Sequence, residues 1–528
     1  MEVVMQRLVI ALFALCGSLL LPGLAGTAAR GDIDAKMQTL VRRSDVGKTV
    51  VALYAVDLTA GLVLVKQNAD EPMIPASNLK LVTTAAALHT LGADFVFETK
   101  LILQNPPKAA GGAAGAGAAG AVGGNAPQTD AVLVVRGDGD PSFGDEAILR
   151  VHGGAVGDVE ALLQLWVDAV KKANIKKVAR IILDDGVFDQ TFTHPSWPAD
   201  QLNRWYCAQV AGINFFTNCL DVYPTPTAGA SETPLVKIVP EAPFIPATNL
   251  ATTGSTDTFW ISRKIDSNEI TFRGTVKHKR IKPVNVTIHD PPIFFGQVLA
   301  DRLRRAGIAV DEVGRPTLRD VLIDGKPLHV IRTPLPLALQ RCNKNSQNLY
   351  AEALFKRVGR KVTGAPGSFE NGAAAVRLFL QKQIGTAAAS VNTADGSGLS
   401  RDNRVTAHIM VDVLSAMHKD PKAGKIFRQS LSIAGKDGTL DDRLTGLKNR
   451  VYGKTGYING VSCLTGYLVV PKPTAAANTA AGATATDDAD DARVIAFSFL
   501  FNDLKAPLDV VMRLQDGLVK MIDEAYAK

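Results

Sequence analysis

The order of its secondary-structure signals constrains this chain most. Residues 49–56, "TVVALYAV", are an apolar, β-prone run; "DLTAG" reads as a turn, and "LVLV" at 62–65 continues as a second strand, so the chain opens on a hairpin. "PASNLKLVTT" follows, and from Pro75 the apolar residues Leu79, Val82, Ala86 and Leu91 recur at helical spacing up to a stop at Gly92. From about 131 to 288 strand-like runs dominate, among them "AVLVVRG", "RIILDD", "PLVKIV" and "ITFRGTVK", with one helix near 160–173. After "HDPP" the pattern turns helical again in "FFGQVLADRLRRAGI", "NLYAEALFKRVG" and "VTAHIMVDVLSAM". A β-rich module inserted into an α/β domain explains that order with the fewest parts.

With 528 residues, 46% of them hydrophobic, the chain is long enough to bury a large core. Two stretches cannot join it: the Gly/Ala-rich 107–129 and the Ala/Thr/Asp-rich 471–492 lack the side chains that would offset the entropy of ordering them. The second separates "SCLTGYLVV" from "RVIAFSFLF" and reads as a long hairpin insertion. At the start, Arg7 precedes an apolar run from Leu8 to Leu21 and small residues from Ala25 to Ala29, the pattern of an export signal over 1–29. Near the end, Leu508, Val511, Leu518 and Ile522 stand at helical spacing and are expected to pack on the core sheet rather than on lipid.

Composition narrows the function. The net charge of +7 favours anionic surroundings, but no basic run carries interleaved aromatics, so nucleic acid is not an expected partner. Cys207, Cys219, Cys342 and Cys463 show no C-x-x-C spacing, and the histidines form no H-E-x-x-H, so neither a metal nor a cofactor is expected. Cys207 and Cys219 suit either a pair formed after export or two buried thiols.

Three short patterns carry chemistry. Ser77 and Lys80 stand at i and i+3 at the start of a helix, on one face and near its positive end, where a lysine made neutral can deprotonate a serine. Ser346 and Asn348 lie at the entrance of a second helix. Lys454-Thr455-Gly456 sits on a strand, its lysine and threonine offering donors to a carboxylate and its glycine admitting a substrate backbone.

S-x-x-K, S-x-N and K-T-G in this order form the motif set of penicillin-binding and β-lactamase-type serine enzymes. Together with "RGDGDPSF", "IILDDGVFD", "DGSGLSRDNRVT" and "IAGKDGTL", they make the chain resemble the D-alanyl-D-alanine carboxypeptidase/endopeptidase family, the class C low-molecular-mass penicillin-binding proteins. The resemblance implies a β-lactamase/transpeptidase-like α/β domain, an antiparallel sheet flanked by helices, split into 30–97 and 289–528 around a β-rich module at 98–288. It implies Ser77 as nucleophile, Lys80 as general base, Ser346 as proton relay and Asn348 as orienting group. Lys454 and Thr455 would hold the terminal carboxylate, and the N–H groups of Ser77 and Tyr457 the oxyanion. Arg401, Asn459 and either Asp184 or Asp185 would hold a diaminopimelyl side chain.

Tyr457 departs from the small hydroxyl residue usual after K-T-G, and its bulk is expected to narrow the carboxylate end. Lys80 is expected to be kept neutral by the approach of Lys454 and by the helix's positive end. The resulting expectation is a periplasmic enzyme without an integral membrane span, acting on peptidoglycan stem peptides and acylated by β-lactams. A β-lactamase and a catalytically inactive wall-binding scaffold are the alternatives.

Overall fold

The computed structural model describes residues 22–104, 131–152, 154, 156–318, 320–322, 325, 327–471 and 492–526. Most of the export-signal stretch and the two expected flexible segments lie outside the described residues. Among the described residues no helix is long and apolar enough to cross a membrane.

An antiparallel sheet organises the chain's two ends. Its strands run in the order Ser432–Ile433, Val451–Ile458, Val461–Val470, Arg493–Asn502, Val50–Asp57 and Leu62–Gln67. The opening hairpin is present, and the strands on either side of 471–492 are paired neighbours, Val470 opposite Arg493. Strand periodicity of two sends alternate side chains to opposite faces. Ala52, Cys463 and Leu500 face helices Leu79–Leu91, Asn348–Thr363 and Ala407–Lys419; Leu53, Phe497 and Phe499 face helices Pro22–Arg43 and Leu508–Tyr526. Both faces are therefore covered, which is why Arg493–Asn502 is nearly continuously apolar. In the last helix Val511, Leu518 and Ile522 are fully buried as expected, but Leu508 is only half-buried at its first position.

The middle of the chain builds a second core. Five strands pair in the order Ala309–Gly314, Lys177–Asp184, Ala131–Arg136, Val96–Gln104 and Pro327–Pro334, two of the pairings parallel. Helices Val159–Lys172 and Pro291–Arg305 pack Trp166, Phe294 and Phe295 onto this sheet. Smaller sheets between 219 and 287 complete the unit. Full burial of a Phe or Leu stabilises by roughly 1.5–3 kcal/mol, so each core holds its own layers together.

The β-rich module also carries helices, since the crossovers between parallel neighbours of its five-stranded sheet pass through Val159–Lys172 and Pro291–Arg305. The expected boundary at 288 also falls inside one continuous layer: Ala309–Gly314 and Pro327–Pro334 form the sheet's two edges. We place the division near Pro334, where the helix Leu335–Lys344 returns to the first core.

Candidate active site

The turn that carries Ser77 is wedged between two glycines. Ala76–Asn78 forms a 3-10 turn that runs directly into helix Leu79–Leu91, with Ala76 in the left-handed region at φ 46°. A Cβ on Gly398 would meet the Ala76 carbonyl oxygen at 1.8 Å. A Cβ on Gly456 would meet Pro75 O at 2.8 Å and Asn78 Oδ1 at 2.9 Å. Gly456 was expected to make room for substrate; its immediate effect is to let the Ser77 turn seat against the K-T-G strand. Asn78 Nδ2 completes the seat by donating to Thr465 Oγ1 at 2.7 Å on the next strand.

Lys80 is fully buried one helical turn below. Its Nζ lies 3.0 Å from Ser77 Oγ, 2.7 Å from Asn348 Oδ1 and 2.8 Å from Ser397 O. Asn348 is the first residue of helix Asn348–Thr363, and its Nδ2 donates to Tyr206 O at 2.8 Å, which aims Oδ1 at the lysine. Burial pulls Lys80 down to about 8, while Glu352, Asp395 and the Cys342 sulfur act the other way. Desolvation of the ammonium is thus the main cause, and the expected repulsion between Lys80 and Lys454 falls chiefly on Lys454.

Lys454 is also fully buried; its Nζ donates to Ser346 Oγ at 3.0 Å and Thr455 O at 2.6 Å. Burial first, and the charge of Lys80 second, hold it well below the usual lysine range. Among the described residues it has no carboxylate partner, so the pocket suits an incoming anion. Ser346 reaches it from a left-handed backbone position at φ 56°. Thr455 Oγ1 donates to Thr439 Oγ1 at 2.8 Å. Tyr457 is 56% exposed, so much of its ring stands in solvent.

The three motifs therefore converge, and the residues expected to hold a diaminopimelyl side chain each have partners within the protein. Arg401 Nη1 donates to Asn459 O at 2.8 Å, and both residues are exposed at the end of the K-T-G hairpin. Asp184 pairs with Arg136 Nε at 2.7 Å and Asp185 with Arg315 Nε at 2.9 Å, inside the module's own charge network. Arg315 also grips Asp290 at 2.7 Å, so one guanidinium is shared by the two carboxylates. Cys207 and Cys219 are free, buried thiols.

Sequence reasoning missed the groups that hold these residues. Glu352 accepts from the N–H groups of Gly396 and Ser397, both at 2.8 Å, and had a signal: it stands one helical turn after Asn348, on the same face. Asp395, within the quoted "DGSGLSR", accepts from Ser400 N at 2.7 Å and Gly398 N at 2.9 Å. Trp197 and Tyr206 come from an irregular stretch of the module and had no local signal.

Comparison with known proteins agrees with this architecture. The family model described as the D-Ala-D-Ala carboxypeptidase 3 (S13) family matches residues 33–523. A D-alanyl-D-alanine carboxypeptidase of Actinomadura sp. is 30% identical over 470 residues, covering 84% of this chain and 79% of the relative. The D-alanyl-D-alanine carboxypeptidase DacB of Haemophilus influenzae is 26% identical over 458 residues, covering 84% and 86%. The crystal structure of penicillin binding protein 4 from Haemophilus influenzae superposes with a TM-score of 0.70 at 22% identity, over 92% of this chain and 99% of that one.

Proposed function

This chain belongs to the D-Ala-D-Ala carboxypeptidase 3 (S13) family and is a serine-type D-Ala-D-Ala carboxypeptidase, and from that premise we propose how its residues divide the work. Ser77 is the nucleophile and Lys80 its base. The observation that carries this is the surroundings of Lys80 Nζ. A neutral amine has two N–H groups and one lone pair; Asn348 Oδ1 at 2.7 Å and Ser397 O at 2.8 Å accept the two hydrogens, leaving the lone pair for the Ser77 hydroxyl at 3.0 Å.

Ser77 Oγ attacks the carbonyl carbon of the penultimate D-alanine as its proton passes to Lys80, and the oxyanion forms against the N–H groups of Ser77 and Tyr457. Ser346, hydrogen-bonded to Lys454, gives its proton to the leaving amine and recovers one from the Lys80 ammonium, which makes Lys80 neutral again; water then attacks the ester as Lys80 takes its proton, and that proton returns to Ser77 Oγ as the acid leaves. The substrate's terminal carboxylate sits at Lys454 and Thr455, where its negative charge favours the ammonium form of Lys454 that burial disfavours.

The substrates are peptidoglycan stem peptides, and β-lactams acylate the same serine. Cleavage of peptide cross-links uses the same groups. Arg401 and the Asn459 segment flank the far end of the groove, and the apolar run at 8–21 supports export to the periplasm.

The test combines a fluorescent penicillin with a D-Ala-D-Ala-terminated pentapeptide. The expected result is a long-lived label and release of D-alanine, both lost in Ser77→Ala. Rapid loss of the label with penicillin turnover would indicate a β-lactamase; no label and no release would indicate an inactive scaffold.

A further inference from the structure

The loop that hands its carbonyl to Lys80 is wound around a buried carboxylate that the mechanism above leaves unused. Glu352 is fully buried on helix Asn348–Thr363. Its two oxygens accept one hydrogen bond each, from Gly396 N and Ser397 N at 2.8 Å. The carbonyl of that same Ser397 accepts from Lys80 Nζ at 2.8 Å, and the carbonyl of Gly396 from Thr83 Oγ1 at 2.7 Å, on the Lys80 helix. Asn348, four residues before Glu352, supplies the other acceptor of Lys80 at 2.7 Å. One helix face thus grips the base twice, once directly and once through a peptide group.

Resting on the assignment of Lys80 as base, we infer that Glu352 is its positioning residue: through the 396–397 peptide groups it fixes the Ser397 carbonyl, and its anion stabilises the ammonium formed when Ser77 gives up its proton. The arrangement parallels the carboxylate that orients and stabilises a catalytic imidazolium in serine proteases, with a peptide group in place of direct contact. Glu352 has no ion-pair partner among the described residues. The charged and titratable groups around it are Lys80, Asp395, Cys342 on helix Leu335–Lys344, and Lys356 one turn on. Lys356 is itself engaged with Asp189 at 2.6 Å. Burial, and after it the charge of Asp395, pushes the Glu352 carboxyl up to about 8, while the N–H groups of Gly396 and Ser397 that face its two oxygens favour the carboxylate.

Glu352→Gln places an amide N–H against one of those two donors and removes the charge. The expected result is a fall in the acylation plateau by roughly 10- to 100-fold, within what a positioned proton acceptor contributes. The acid limb of the acylation profile should also move to lower pH, because loss of a nearby anion lowers the pKa of a lysine. Glu352→Asp keeps the charge but not the reach, so its plateau should fall while its limb stays. Acylation is followed with fluorescent penicillin on the full chain, normalised to the folded fraction.

A wild-type plateau and limb in Glu352→Gln would overturn the inference, as would a lowered plateau with an unmoved limb, which would make Glu352 a strut. If Glu352→Gln does not fold, Glu352→Asp decides: a wild-type plateau overturns the positioning role. A wild-type chain that labels at a residue other than Ser77 would sink the underlying assignment instead, so the two failures are distinguishable.

Discussion

The indole N–H of Trp197, from the inserted module, donates to Asp395 Oδ2 at 3.0 Å, inside the loop whose Ser397 carbonyl faces Lys80. The module and the catalytic core are joined at the catalytic machinery itself. Tyr206 O, from the same stretch of the module, orients Asn348. Trp197→Phe keeps most of the packing but leaves a fully buried carboxylate short of one donor. A hydrogen bond to a charged group contributes roughly 1.5–3 kcal/mol. We expect the unfolding free energy to fall by about that amount, together with slower acylation, measured by denaturant titration and penicillin labelling. Slower acylation without lost stability would contradict this account.

Gly456→Ala should separate the two uses of that glycine. Its Cβ would press on Pro75 O at 2.8 Å and Asn78 Oδ1 at 2.9 Å, both in the turn that carries Ser77. Overpacking of this kind costs roughly 1–3 kcal/mol. Acylation should fall for every β-lactam regardless of side chain, because the nucleophile itself is displaced. A loss confined to bulky substrates would instead assign the glycine to substrate clearance.

Acylation should rise with pH through about 8, the value to which burial brings Lys80. The sign follows from its role: only the neutral amine accepts the serine proton. Stability gains with it, since the unfolded chain binds the proton more tightly than the folded one between about 8 and the ordinary value of 10.5. Lys80→Arg, which stays cationic, should abolish the limb along with the activity. A flat acylation profile between pH 6 and 9, both roughly chosen to bracket the transition, would rule out Lys80 as the base.

Tyr457→Ser restores the hydroxyl residue usual after K-T-G. With 56% of Tyr457 exposed, the substitution should change stability by no more than about 0.5 kcal/mol. If the ring limits access to the carboxylate end, KM for a D-Ala-D-Ala peptide should change more than kcat. Equal changes in both would tie Tyr457 to the transition state, through its N–H position, rather than to access.

The sequence by itself determined the three motifs and their order, because each rests on local geometry: i,i+3 spacing on a helix, a helix entrance, a strand with a glycine; the roles proposed for Ser77 and Lys80 came with the family resemblance. It also determined the catalytic sheet's hairpins and the covered last helix, since periodicity of 2 or about 3.6 is a local property. Only the tertiary structure decided what makes those residues reactive. Burial of Lys80, the seat of Ser77 between Gly398 and Gly456, and the grips of Glu352, Trp197 and Tyr206 all join residues far apart in the chain. The same holds for the arginine partners of Asp184 and Asp185, Arg136 and Arg315, and for the module's end near Pro334, which depends on strands pairing across more than a hundred residues. "PASNLK" names the serine proposed as nucleophile, but desolvation and long-range hydrogen bonds, which no local pattern encodes, set its surroundings.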